Sequence, residues 1–234
     1  MISCFHLSVK HPRMEGALLD DVSFEIETGG WAEFTGEAGC GKSMLFSMLS
    51  LRARPEQGTM IVAGRNLARL PQRKLERLRA KIGSCQQQPL LLEDRSVVEN
   101  LLLPFVARKQ LKQAPKYVDH ILEQLELQAL RDLPVHMLSS SERRVVGIAR
   151  ACVGDPSMIL IDGAFEQLDL NWKKRVRAHL RRLHREGRTV VLFGRESVGP
   201  MTGRGVELRM TQSSIEPVER SVHAPAPEIG RRRP

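Results

Sequence analysis

The chain has 234 residues, enough to bury the core of one large domain, and its 36 Lys and Arg against 27 Asp and Glu give a formal net charge of +9. That charge admits nucleic acid, anionic lipid or an acidic protein face without selecting among them, while 4% aromatic content argues against a base-stacking surface. No apolar run approaches the roughly 18 residues that span a bilayer, Met1-Ile2-Ser3-Cys4-Phe5-His6 does not start like a signal peptide, and Cys4, Cys40, Cys85 and Cys152 lack paired spacing, so a cytosolic protein with reduced thiols is expected.

Short strand patterns come first, at 2–8, 22–26, 31–35 and 59–63, separated by glycine and acidic turns. Directly after the third lies Gly36-Glu37-Ala38-Gly39-Cys40-Gly41-Lys42-Ser43, and then the apolar helix pattern of 44–49. Strand, glycine loop and helix in that order form the context of a phosphate-binding loop. Its glycines turn consecutive backbone N–H groups toward phosphate oxygens, Lys42 reaches the β- and γ-phosphates, and the Ser43 hydroxyl suits Mg²⁺. The helix dipole adds partial positive charge at the same place.

From 71 to 153 the pattern is mostly helical, with Val118, Ile121, Leu122 and Leu125 on one face of a helix over 115–127. Strands return at 158–161 and 189–193. The basic helix between them, over 173–185, has Val176, Leu180 and Leu183 at helical spacing, and its charges read as a solvated face. This alternation predicts an α/β fold with a mostly parallel sheet, whose ligands bind at the carboxyl ends of the strands. Asp162 closes the apolar run Met158-Ile159-Leu160-Ile161 and is the candidate for the metal's outer shell. His179 and His184 stand five apart, whereas ligands on one helix face stand three or four apart. Residues 218–234, with Pro225, Pro227 and Arg231-Arg232-Arg233, read as a disordered basic tail that either solubilises the chain or touches anionic lipid.

Further segments complete a pattern: Ala17-Leu18 with Val22-Ser23-Phe24-Glu25-Ile26; Ile82-Gly83 followed by Gln87; Leu90-Leu91 with Asp94-Arg95-Ser96-Val97; Leu138-Ser139-Ser140-Ser141-Glu142 continued by Ile148-Ala149-Arg150-Ala151; and Leu168-Asp169. Their order resembles the ATP-binding cassette (ABC) subunits of membrane transporters, most closely the bacterial FtsE, LolD and MacB group, over about residues 1–216. The resemblance implies a P-loop NTPase core over 1–217 with an N-terminal antiparallel β region and a helical signature subdomain at about 89–155. It implies ATP contacts from His11, Gly36 to Ser43, Gln87, the signature Ser139, Ser140 and Ser141, and the D-loop Asp169, with Mg²⁺ at Ser43, Gln87 and Asp162. Such subunits dimerise, so a homodimer or a heterodimer with an intact ABC subunit is implied. A membrane-embedded transporter or FtsX-like partner would contact residues 87–97, placing the protein in the cytoplasm on the inner face of the plasma membrane; no specific nucleic acid is implied. Asp94-Arg95 lies in that contact region and reads either as partner contact or as a loop ion pair.

Departures from the family pattern carry equal weight. Gly163 stands where the family has the glutamate that polarises the attacking water, and Arg195 stands at the switch histidine. Ser140 and Ser141 replace the signature glycines, Arg143 and Arg144 its glutamines, Val145 its following arginine, and His11 the adenine-stacking aromatic. Losing a positioned base costs about 10²- to 10⁴-fold in rate, while the phosphate grip is untouched, so ATP binding should survive better than hydrolysis and no catalytic residue is assigned. Arg195 is either a cation for the γ-phosphate or a solvated side chain. The alternatives are an active ATPase using a relocated acid, with Glu166 and Glu196 nearest in sequence but at the wrong spacing, or a nucleic-acid-associated ABC protein suggested by charge alone.

Overall fold

The computed structural model describes residues 1–10, 17–163, 165–166, 168–198, 205–211 and 213–218. His11 and all of the expected tail except Val218 lie outside them. The opening strands alternate between core and solvent, as a half-buried sheet requires. β1 (Ile2–Lys10) pairs antiparallel with β2 (Ala17–Ile26), Cys4 opposite Phe24, and on its other side with β4 (Gln57–Val62), Cys4 opposite Met60. The short β5 (Arg65–Asn66) completes a sheet of order β2-β1-β4-β5. β1 and β2 run beyond the apolar patterns at 2–8 and 22–26, because pairing with each other carries the ladder past the residues that alternate cleanly.

The second sheet has the order β10-β9-β3-β8-β7-β6, built from β3 (Trp31–Thr35), β6 (Ile82–Cys85), β7 (Met158–Asp162), β8 (Thr189–Gly194), β9 (Gly205–Met210) and β10 (Ile215–Pro217). Its pairings are parallel except that of β10 with β9. β3 and β7 are buried at every position, as strands covered on both faces must be. Met158, Leu160, Val191, Phe193 and Phe34 point into a core shared with the antiparallel sheet, α1 (Lys42–Leu49) and α2 (Gln72–Arg79). Ile159, Ile161, Val190 and Leu192 point the other way, into a core shared with α3 (Val97–Arg108), α4 (Ala114–Gln124), α5 (Ser140–Cys152) and α6 (Leu170–Arg185).

α3, α4 and α5 pack against one another, and α5 also lies on β6 and β7. α3 starts at a capping box: the Ser96 hydroxyl accepts the Glu99 N–H and Glu99 accepts the Ser96 N–H at 2.8 Å. β6 corrects the mostly helical reading of 71–153. Only four residues long, it contains a glycine, and its identity comes from pairing with β7 rather than from its own pattern. β9 and β10 were not legible either, for the same reason. Of the two readings of Asp94-Arg95, the loop ion pair is not formed: Arg95 pairs instead with Glu99 at 3.1 Å, which the i,i+4 spacing places within reach. The basic helix behaves as its pattern requires: α6 buries Val176, Leu180 and Leu183, while Arg175 pairs outside with Glu126 at 2.6 Å. All four cysteines are free and buried, and burial pushes the thiols of Cys4 and Cys85 up, to about 12 and about 11. Among the described residues no helix is long and apolar enough to cross a membrane.

α6 also buries His179, whose Nδ1 lies 3.3 Å from Arg182 Nη2. Burial, aided by Arg182 and His120, pushes its pKa down from 6.5 to about 4. Between those pH values the unfolded chain binds the extra proton, so stability is full above pH 6.5 and falls as pH drops toward 4. In urea titrations His179→Leu should lose about 3 kcal/mol less than wild type over that window; parallel pH profiles would contradict a buried neutral imidazole.

Candidate functional site

The site forms where β3, β7 and β8 end side by side. β3 delivers the chain into the loop Gly36–Ser43, whose close turns demand glycine: Gly39 and Gly41 have φ of +85° and +94°, and a Cβ on Gly36 would run into the Met210 carbonyl oxygen. Gly41 is also the N-cap of α1, and no side chain caps that end, so the helix presents its first amides to the space in front of it. Lys42 Nζ bridges the loop, donating to Gly36 O at 2.6 Å and Glu37 O at 2.7 Å, with Cys40 Sγ at 3.4 Å.

Across this space β7 ends in Asp162. The Ser43 hydroxyl donates to Asp162 Oδ2 at 3.2 Å, a hydroxyl and a carboxylate on one side of the same pocket. Burial raises the Asp162 pKa, opposed by the Ser43 hydrogen bond and by the charges of Lys42 and Arg144. Two hard oxygens so placed fit Mg²⁺, which takes one or two carboxylate or hydroxyl ligands and fills its remaining positions with phosphate and water.

A cavity of about 380 Å³ joins these parts. Its walls include Ala38, Gly39, Gly41, Lys42, Ser43, Gln87, Asp162, Gly163 and Arg195, together with Leu18 and Glu166. Gly36, Glu37 and Cys40 face an adjoining groove that shares Ala38 and Arg195 with the cavity. Ser139, Ser140 and Ser141 do not reach this cavity; they open α5, where the Ser139 hydroxyl donates to Glu142 Oε2 at 2.7 Å and accepts the Glu142 N–H in a capping box. Asp169 is outside it too, accepting the Trp172 N–H at 2.9 Å as N-cap of α6.

No carboxylate projects from position 163, and its backbone is shaped for glycine. φ is +61°, and a Cβ there would lie 3.1 Å from Gln87 Cγ and 3.5 Å from Arg144 Nη2. Glu166 is the acid that does reach the wall. Its Oε1 accepts the Arg195 N–H at 2.7 Å, and its Oε2 lies 3.9 Å from Arg195 Nε. The sequence offers it as a relocated acid at the wrong spacing, and the turn after β7 brings it to the residue that follows β8.

Arg144 was missed. It is 1% exposed and donates from Nη1 to Gln86 O at 3.0 Å and from Nη2 to Asp162 O at 2.8 Å, bolting the end of β7 to the segment after β6. The available signal was weak: Arg144 stands at the boundary between the polar stretch Ser139 to Arg143 and the apolar run Val145-Val146-Gly147-Ile148.

Known proteins share this arrangement. A family profile described as ABC transporter matches residues 19–166. The chain is 36% identical over 193 residues to the methionine import ATP-binding protein MetN 2 of Rhodopseudomonas palustris, covering 82% of this chain and 51% of that protein. It is 31% identical over 176 residues to the lipoprotein-releasing system ATP-binding protein LolD of Leptospira interrogans, covering 75% and 74%. The chain spans about half the length of the methionine-import relatives it matches. Among solved structures, the dimeric ATP-binding cassette MJ0796 in a post-hydrolysis state bound to ADP and Pi matches with a TM-score of 0.80 at 22% identity, over 92% of this chain and 97% of that one.

The two arginines at the site should separate in a stability assay. Arg144→Leu strands two buried carbonyls and should cost about 2–4 kcal/mol in urea unfolding. Arg195→Ala removes a side chain that is 68% exposed and should change stability by about 0.5 kcal/mol or less. Equal effects would contradict the bolting role of Arg144.

Proposed function

The chain belongs to the ABC transporter family, and on that premise we propose that it binds Mg-ATP, dimerises around it and gates or drives a membrane partner, with hydrolysis in its own site weak or absent. The observation that carries this reading is the division within one cavity: Lys42, Ser43, Gln87 and Asp162 are gathered on its walls, while Gly163 supplies no carboxylate beside Asp162.

Binding follows from the chain's own groups. The loop amides and the open end of α1 receive phosphate oxygens, Lys42 neutralises the β- and γ-phosphates, and Arg195 adds a second cation to the cavity wall. Mg²⁺ would be held by Ser43, Asp162 and Gln87, and when bound it neutralises charge shared by the β- and γ-phosphates. Attack on the γ-phosphate needs a residue that orients and deprotonates water, and the family's position for it carries no side chain. That deficit is worth about 10²- to 10⁴-fold in rate.

Ser139–Ser141 stand away from the phosphate cavity of their own chain, which supports a composite site in which the signature of one subunit meets the phosphate loop of another. In a homodimer both sites would carry Gly163; in a heterodimer with an intact subunit, one site would contain the partner's glutamate. The kinship with LolD supports a place in the FtsE, LolD and MacB group, acting at the cytoplasmic side of the plasma membrane through a partner that meets residues 87–97. Leu90 and Leu92, 77% and 47% exposed in that stretch, suit such a contact.

A second reading has its own observation: Glu166 reaches the cavity wall, so it is a candidate for a relocated acid. Its Oε1 is already engaged by the Arg195 N–H, which favours a structural role.

Sedimentation tests the main reading. Mg-ATP should shift purified protein from monomer to dimer when no partner is present, and Lys42→Ala should abolish the shift by weakening ATP binding about 100-fold. A monomer at saturating Mg-ATP would contradict it. ATP turnover at ordinary ABC rates that is lost on Glu166→Gln would establish the second reading instead.

A further inference from the structure

The central strand carries a buried charge that the reading above does not use. Trp31-Ala32-Glu33-Phe34-Thr35 is buried at every position, and Glu33 is 2% exposed. A carboxylate there is unfavourable unless donors fill its lone pairs. Three do. Oε1 accepts the Trp31 indole N–H at 2.8 Å, while Oε2 accepts the Ser197 hydroxyl at 2.5 Å and the Val198 N–H at 3.0 Å.

The last two donors belong to the segment that leaves β8 and passes through Arg195. Glu33 lies on β3, a few residues before the phosphate loop. We propose that Glu33 is a positioning residue that holds Arg195 over the phosphate cavity by gripping Ser197 and Val198, an inference that rests on reading that cavity as the ATP site. Arg195 needs such a grip. Its side chain is 68% exposed, and its own ties are the backbone bond to Glu166 and the 3.9 Å approach of its Nε to the same carboxylate. With Glu166 behind its backbone and Glu33 beyond Ser197, the segment is pinned on both sides of the guanidinium. A void of about 30 Å³ lies behind it, lined by Glu33, Gly163, Glu166, Gly194 and Val198. Loss of the Glu33 carboxylate would therefore leave the segment room to settle elsewhere, rather than a packed wall that keeps it in place.

Two arms test this on the full chain. In nucleotide-free protein, Glu33→Ala should speed amide hydrogen exchange at Val198 and Arg195 by about tenfold or more, and Glu33→Gln, which keeps the shape and one acceptor, should restore most of the protection. For binding of a fluorescent ATP analogue, Arg195→Ala and Glu33→Ala should each weaken affinity about tenfold, and the double variant should be no weaker than either alone. Unchanged exchange at Val198, or losses that multiply in the double variant, would overturn the proposal. If Glu33→Ala does not fold, Ser197→Ala removes one donor from the far side and carries the same expectations in both arms. If wild-type protein binds no ATP, the ATP-site reading fails by itself, and the grip is decided by the exchange arm.

Discussion

Three parallel strands end in one row: Thr35 of β3 lies opposite Gly194 of β8, and Phe193 of β8 lies opposite Asp162 of β7. A parallel sheet sends every strand out at the same edge, so whatever follows those three strands meets in one place. The phosphate loop follows the first, Arg195 the second and Gly163 the third. The register itself is held by strands apolar on both faces, and slipping one by a residue would exchange the two cores on either side of it. The geometry of the site is thus a consequence of packing far from it.

Charge within that row is distributed unevenly. Lys42 and Arg144 act on Asp162, whose burial opposes its own ionisation, while Arg195 lies against Glu166. Arg144 is itself buried and bound only to carbonyl oxygens, so burial lowers its pKa, while Cys85, Asp162 and Glu166 raise it. A cavity with Lys42 and Arg195 on its walls and no carboxylate at 163 suits an anion that stays. It suits the activation of water poorly, because a base must be free to take a proton, and Glu166 is tied to a backbone amide. On the proposed reading, the residues that would hold a triphosphate would also account for slow turnover without invoking any damage to the fold.

Much of this was legible in the sequence because the signals were local. Gly36 to Ser43 carries its own context in the strand before it and the helix after it, and the run ending in Asp162 has a length and apolarity that only a buried strand explains. The helices at 115–127 and 173–185 declared their buried faces through spacing. What escaped was decided by distant partners. β6 contains a glycine and is too short to show a period, so it exists through β7. Glu166, named from the sequence as a relocated acid at the wrong spacing, reaches the cavity only through the fold of the turn. Glu33 reads as one charge in an apolar strand and Arg144 as one of two consecutive arginines, and their roles depend on Gln86, Asp162, Ser197 and Val198, all far from them in sequence. The position of Gly163 was readable, but its left-handed backbone, which makes it more than a missing glutamate, was not.

The central claim is that grip on ATP and attack on ATP have been separated in this chain. Measuring Mg-ATP affinity and steady-state phosphate release on one preparation, alone and with the proposed membrane partner, tests it most directly. The account predicts micromolar or tighter binding with release about 10²- to 10⁴-fold below an ABC subunit that retains the glutamate. Binding accompanied by release at that subunit's rate would contradict it, and so would the absence of binding.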